Sequence, residues 1–202
     1  MGTGNRVEFF VAVCALLTSI IAIWVAWDQS RVMRAQQHGM VYPVLQVEGF
    51  VSTNKETVSM GLRLSNTGVG PALIESVVAR LDGERLETLE PFRASLASGF
   101  NISWTGMAGR SLAPGAQVDA IDLVWDTDEI TTEQLNRAVR DWGEIDFEFC
   151  YCSVFDRCWS VGVGISRAER VKSCPEYDRD LFEEFGMNRV MPSVISQDEA
   201  SR

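Results

Sequence analysis

Four cysteines fall in the last third of the chain, at Cys150, Cys152, Cys158 and Cys174, and no other residues in it have so wide a chemical reach. Thiolates bond one another, hold soft metals and exchange electrons. Cys150 and Cys152 stand two apart in a strand-like stretch, so their side chains share one face. A three-residue loop, Val154 to Asp156, sets Ser153 opposite Arg157 and Cys152 opposite Cys158. Facing cysteines at a non-hydrogen-bonded pair are within disulfide reach. Cys174 can then approach Cys150. A two-residue loop turns Cys158 to the other face and forbids the bridge.

Four chemistries stay open for this set. The thiols could be buried and inert. They could form one or two structural disulfides, Cys152–Cys158 and Cys150–Cys174, in an extracytoplasmic domain, which is the favoured reading. They could form a four-thiolate metal site from Cys150, Cys152, Cys158 and Cys174, although the spacing is unlike paired C-x2-C knuckles and two ligands on one flat strand chelate poorly. Last, a redox-active pair is conceivable, but C-x-C has no helix N-terminus to lower a thiol pKa.

Other chemistry finds little support. His38 is the only histidine. It lies next to an apolar run with no partner in sequence, so Ser–His catalysis lacks a base and histidine-based metal chemistry lacks ligands. Asp119, Asp122, Asp126, Asp128 and Glu129 form an acidic stretch, but without the regular oxygen-ligand spacing and glycine of a calcium loop they read as solvated. Gly68 and Gly70 are followed by no Lys-Ser/Thr and open no helix, so they are no phosphate loop. Asn101-Ile-Ser103 fits a glycosylation triplet that often arises by chance. Trp104, Trp125 and Trp159 read as core. The sequence therefore predicts no catalytic residues and no cofactor. The 18 basic and 28 acidic residues leave a net charge of -10. That balance argues against nucleic-acid binding, which needs a basic face.

The elements that would position the cysteines begin with an anchor. Phe9 to Trp27 is nineteen residues without a charge. At a helical rise these residues span about 28 Å, close to the hydrocarbon core of a bilayer. Thr18 and Ser19 can bond back to their own helix, and Trp24 and Trp27 suit an interface. Cys14 reads as an inert residue of this run. Bulky Trp24 and Trp27 argue against signal cleavage, Val13 against a lipoprotein site at Cys14, and Arg6 against myristoylation of Gly2. The reading is residues 1–8 a tail, 9–27 a transmembrane helix, and 28–39 a helical stalk that Gly39 stops. The partners expected are the lipid bilayer, through 9–27, and another protein. Arg31 and Arg34 nearly balance Arg6 and the α-amine, so flanking charge does not decide the side. The lean to the extracytoplasmic side rests on the cysteines.

Residues 40–186 read as the domain and 187–202 as a flexible tail. Strands are expected at Val41–Val51, with Pro43 marking an edge, then at Val58–Ser65, Leu73–Leu81, Arg85–Leu89, Phe100–Trp104, Val118–Trp125, Glu144–Ser153 and Arg157–Ile165. Along Val118–Trp125, strict alternation would set Val118, Ala120, Asp122 and Val124 opposite Ile121, Leu123 and Trp125. Asn66 to Ala72 reads as a turn whose glycines supply positive φ. Asp82-Gly83 and Leu112–Gly115 read as further turns. Glu90–Ser98 is ambiguous, with a helical turn among its options. Thr131 and Gln134 suggest a capping box for a helix ending at Trp142 and Gly143. Pro175–Phe185 reads as a short amphipathic helix with Tyr177, Leu181 and Phe185 on one stripe. Seven to eight short strands with one inserted helix point to a mainly β fold, an immunoglobulin-like β-sandwich.

The Asn66-Thr-Gly-Val-Gly-Pro-Ala72 and Leu112-Ala-Pro-Gly115 turns resemble those of immunoglobulin-like adhesion and spacer modules of bacterial surface proteins. The layout also resembles a set of uncharacterised bacterial proteins with one N-terminal span. Those carry a Tyr-Pro after the stalk, here Tyr42-Pro43, and a Cys-Tyr-Cys-Ser…Cys-Trp hairpin, here Cys150–Ser153 and Cys158-Trp159. The resemblance covers about Arg31 to Val161. It implies the sandwich and a single-pass address in a bacterial inner membrane. It brings no activity and no functional residues.

Overall fold

The structure, a computed structural model, describes residues 4–165, 167–176 and 180–185. The chain divides into two compact units, Met1–Met40 and Val41–Arg202.

The first unit is one helix, α1 (Gly4–Met40). It is long and apolar enough to cross a membrane. Its two polar residues within the apolar run are internally satisfied. The Thr18 hydroxyl donates to the Cys14 and Ala15 carbonyls and that of Ser19 to the Ala15 carbonyl. No hydroxyl is thus left without a partner in an apolar surrounding. The helix runs on to Met40, so Gly39 sits inside the last turn and does not follow it.

The second unit is mainly β. In chain order it comprises β1 (Leu45–Thr53), β2 (Thr57–Asn66), β3 (Ala72–Leu81), β4 (Glu84–Leu86), α2 (Glu90–Ser95), β5 (Asn101–Trp104), β6 (Arg110–Leu112), β7 (Gln117–Asp126), α3 (Thr132–Gly143), β8 (Ile145–Cys152), β9 (Cys158–Gly162) and β10 (Glu169–Val171). Two antiparallel sheets result. One has the order β1-β2-β7-β5, and the other β10-β9-β8-β3-β4 with β6 also on β3. Both contribute to one core, with Leu62, Leu64, Ile121 and Trp125 from the first and Ile74, Phe147, Phe149 and Tyr151 from the second. Trp159 is buried in it, whereas Trp104 is only half-buried.

Several local features depart from the pattern of the sequence. The first strand begins at Leu45, not Val41, and Pro43 is buried ahead of it. Gly68 and Gly70 do not have positive φ. They are glycines because the 41–44 backbone lies against them. A Cβ on Gly68 would sit 2.4 Å from the Tyr42 carbonyl oxygen, and one on Gly70 2.1 Å from that of Val41. Positive φ is instead used at Asp82 and Gly83, the two-residue turn between β3 and β4. In β7 the register slips at Ala120, where Leu62 faces Ile121 but Arg63 faces Asp119. This bulge shifts the alternation by one residue. Val118 therefore packs against the core on the side of Ile121, and Ala120 and Ile121 are both buried. The stretch after Gly109 forms the short strand β6, paired to Ala72–Ile74, ahead of the Gly115 turn.

Helix α3 carries the expected cap. Thr131 accepts from the Gln134 N–H, and the Gln134 side chain accepts from the Thr131 N–H. Its buried face holds Ala138 and Trp142, with Trp142 against Phe92 and Phe147. At the C-terminal end, residues 181–185 are helical and bury Leu181, Phe182 and Phe185. The Phe182 ring stacks on Phe147 and Phe149. Tyr177 and the tail at 187–202 lie outside the described residues.

The sheets are joined at Asn66, whose side chain is fully buried with 0% exposure. Its Oδ1 accepts from the N–H groups of Val44 (3.2 Å) and Gly68 (3.0 Å). Its Nδ2 donates to the carbonyls of Gly70 (2.8 Å) and Leu112 (2.9 Å). That saturates the amide. Removing it leaves two buried carbonyls and two half-buried N–H groups without their partner. Asn66→Ala should destabilise the domain by about 3 kcal/mol. Denaturant unfolding of the purified full chain, followed by tryptophan fluorescence, measures this. A loss no larger than that of Ser65→Ala would contradict the role.

Candidate functional site

The cysteine hairpin is built by β8 and β9. Ser153 N–H donates to the Arg157 carbonyl at 2.8 Å, and Asp156 takes positive φ to close the 154–156 loop. Cys152 and Cys158 are therefore cross-strand partners. They form a non-hydrogen-bonded pair, where strands approach most closely. Their Cα atoms are 4.0 Å apart and their sulfurs 2.04 Å, a disulfide. Cys150 points to the same face. Its sulfur bonds that of Cys174 at 2.07 Å, with Cα atoms 5.5 Å apart. Cys174 comes from the segment after β10, which pairs Val171 with Cys158. Cys14 is the one free cysteine and lies in α1.

The two disulfides touch. Cys152 Sγ lies 3.7 Å from Cys174 Sγ. Cys152, Cys158 and Cys174 offer sulfurs that all lie within 4.8 Å of one another. Cys150 stands outside that group of three. Among the described residues this is the one cluster of three or more potential metal ligands, and the acidic residues from Asp119 to Glu129 form none. On the same face, Glu148 accepts from Ser160 and pairs with Arg80. The Ser160 hydroxyl, and next the Arg80 guanidinium, hold the Glu148 carboxyl below the ordinary range. Beside Cys150 on β3 stands Ser76, buried, with its hydroxyl unpartnered among the described residues.

Sequence spacing could not show what Asp180 does. One carboxylate oxygen accepts from the N–H groups of Met107 (2.5 Å) and Ala108 (2.7 Å). The other caps the 181–185 turn through the N–H groups of Phe182 and Glu183. Cys174 and Asp180 are thus two tethers ahead of the turn that carries Phe182 and Phe185 into the core.

A second cluster lies on the outward face of the β1-β2-β7-β5 sheet. Arg63 and Asp119 form a two-pronged ion pair at 2.6 and 3.2 Å. The Arg63 guanidinium stands 4.6 Å from the Phe50 ring centre. The ring covers Gly61, where a Cβ would lie 2.8 Å from Phe50 Cζ and 2.1 Å from the Ile121 carbonyl oxygen. Asp122, opposite Gly61, has one buried carboxylate oxygen without a hydrogen bond among the described residues. His38 sits half-buried in α1, Asn101 is exposed on β5, and neither joins a cluster of potential ligands.

Comparison with protein-family models, with curated proteins and with solved structures finds no match to the chain.

Two measurements test this geometry. Closing loops with sequence separations of 24 (Cys150–Cys174) and 6 (Cys152–Cys158) restricts the unfolded chain by about 3.5 and 2.3 kcal/mol in the loop-entropy account. Cys150→Ser/Cys174→Ser should therefore lower the unfolding midpoint more than Cys152→Ser/Cys158→Ser, and the reverse order would contradict the assigned tether. Burial, with a smaller contribution from the Asp119 charge, raises the Asp122 carboxyl above its ordinary value. The folded chain then binds that proton more tightly than the unfolded chain. The associated stability is present in acid and fades as pH rises above the ordinary carboxylate range. Asp122→Asn should match the parent at pH 4 and melt about one or two degrees higher at pH 7, a gain kept small by partial exposure. A lower midpoint at pH 7 would contradict it.

Proposed function

We propose that the chain is a single-pass membrane protein of a bacterial inner membrane. Its β domain is an immunoglobulin-like, non-catalytic module that binds another protein on the extracytoplasmic side. The strand orders support the immunoglobulin-like reading. In that fold the sheets run A-B-E-D and G-F-C with an optional C′. Here β1-β2-β7-β5 and β9-β8-β3-β4 follow the same succession, with α3 in the E–F connection and β10 added beyond G. The uncharged run of α1 supports the span. Paired cysteines support an oxidising compartment.

The observation that carries protein binding is the far half of β1. This strand is the edge of its sheet. Glu48, Gly49 and Val51–Thr53 are exposed, with Val51 at 50%. An exposed edge offers unpaired backbone groups to a strand from another protein. A photo-reactive residue at Val51 in the membrane-embedded full chain should cross-link to a second polypeptide far more than one at Arg137 on α3. Equal yields would sink the binding reading. A C-terminal reporter active only outside the cytoplasm tests the side of the membrane, and activity inside overturns it.

A second reading is a thiolate metal or redox centre. It draws on the convergence of Cys152, Cys158 and Cys174 within 4.8 Å and requires both disulfides to be reduced, since only thiolates ligate metal. Stoichiometric zinc that survives dialysis of the purified full chain would replace the first reading with this one.

A further inference from the structure

We propose that the two disulfides form one thiol–disulfide exchange site: when an external dithiol opens Cys152–Cys158, the Cys152 thiolate attacks Cys174 and moves the second bond from Cys150 to Cys152. The proposal rests on the disulfide pairing of the preferred reading. It goes beyond that reading by giving the pair a reaction and a class of co-reactant.

Three observations carry it. First, Cys152 Sγ is already 3.7 Å from Cys174 Sγ, so attack needs little more than a side-chain rotation. Second, Cys150 and Cys152 occupy neighbouring same-face positions on β8, and Cys174 lies beside both. Either can hold Cys174 without a change of strand register. Third, an unpartnered hydroxyl lies on the strand beside the leaving sulfur, although it makes no hydrogen bond to that sulfur while the disulfide is intact. Ser76 is the cross-strand neighbour of Cys150, and its buried hydroxyl has no partner among the described residues. A buried hydroxyl without a partner is uncommon and calls for a reason. Donation to a Cys150 thiolate supplies one, because hydrogen bonding to the charged form favours it and a better leaving thiolate departs faster.

The step balances as follows. One thiolate of the external dithiol attacks Cys158 Sγ, and Cys152 leaves as thiolate. The second thiol of the reagent closes its own disulfide and releases Cys158 as thiol. The Cys152 thiolate then attacks Cys174 Sγ. The Cys152–Cys174 bond forms, the Cys150–Cys174 bond breaks, and the electron pair leaves on Cys150, which takes a proton from water. The dithiol is oxidised and one protein disulfide is reduced, while the exchange itself is redox-neutral. Cys158 is only 5% exposed, so the reagent reaches it when the adjoining Val154–Phe155 turn, 47% and 45% exposed, opens.

The test uses the full chain in detergent in a Cys14→Ser background. Before reduction, peptide mapping should find Cys150–Cys174 and Cys152–Cys158. Four alkylatable thiols at this stage overturn the pairing itself, and the exchange with it. Limiting dithiothreitol, followed by an acid quench and alkylation, should then give the Cys152–Cys174 peptide pair with alkylated Cys150 and Cys158. Correct starting pairs that yield only alkylated Cys152 and Cys158, with Cys150–Cys174 intact, overturn the exchange and leave the structural reading standing. Cys158→Ser, which frees Cys152 with no reductant, should show both Cys150–Cys174 and Cys152–Cys174. Finding Cys150–Cys174 alone overturns the proposal by an independent route. Ser76→Ala should slow the appearance of the Cys152–Cys174 pair several-fold, and an unchanged rate removes Ser76 from the site.

Discussion

The fold depends on one buried amide. Asn66 ends β2, and its four hydrogen bonds reach the 41–44 segment, the glycine turn and the carbonyl of Leu112 on β6. Its backbone adds a bond to the Ala116 carbonyl and accepts one from the Gly115 N–H. Asn66 itself is in the first sheet, and its partners lie in the 41–44 segment, in β6 of the second sheet and in two of the turns that pass between the sheets. An isolated buried amide is costly, but a saturated one specifies a single arrangement. The absent side chains at Gly68 and Gly70 serve the same end, since they let the 41–44 backbone come close enough to be held. The register of β1 on β2 starts from this point, with Leu45 opposite Asn66.

A second closure forms at the opposite end of the sequence. The faces of β8 divide the work. Phe147, Phe149 and Tyr151 turn inward, while Glu148, Cys150 and Cys152 turn outward. The chain after β10 serves both faces in turn. Cys174 lies on the outer side against Cys150, and within a few residues Phe182 lies inside against Phe147 and Phe149. Asp180 makes this change of side possible by receiving four backbone N–H groups, two from the 107–108 loop and two from the turn that it caps. A carboxylate so placed both gathers the loop donors and starts the last turn.

Much of this layout could be read from residue order. The alternation of Val58–Ser65, the Asp82-Gly83 turn, the Thr131…Gln134 box and the cysteine spacing are local signals, and each corresponds to an element of the structure. What escaped the reading depends on distant partners. Periodicity does not announce the bulge at Ala120, because it arises from pairing with β2. Arg110–Leu112 is too short to show a pattern, and it is a strand only because β3 lies beside it. Gly68 and Gly70 look like turn residues, but close approach of the 41–44 backbone is why they are glycines. The roles of Asn66 and Asp180 are likewise invisible locally, since an Asn in a turn and an Asp before a helix are ordinary. The contact between the two disulfides follows from where the chain after β10 returns, which spacing cannot supply.

The late arrival of Phe182 has a consequence for biosynthesis. Residues 181–185 are made after every strand of both sheets, yet their rings complete the interior against β8. A chain emerging from the ribosome therefore lacks the Phe182 ring that stacks on Phe147 and Phe149 until nearly all of the domain has been translated. Aromatic surface left without its partner invites aggregation and chaperone capture. The interior is completed by the last helical turn, and a nascent chain truncated before Leu181 lacks the three side chains, Leu181, Phe182 and Phe185, that are buried there.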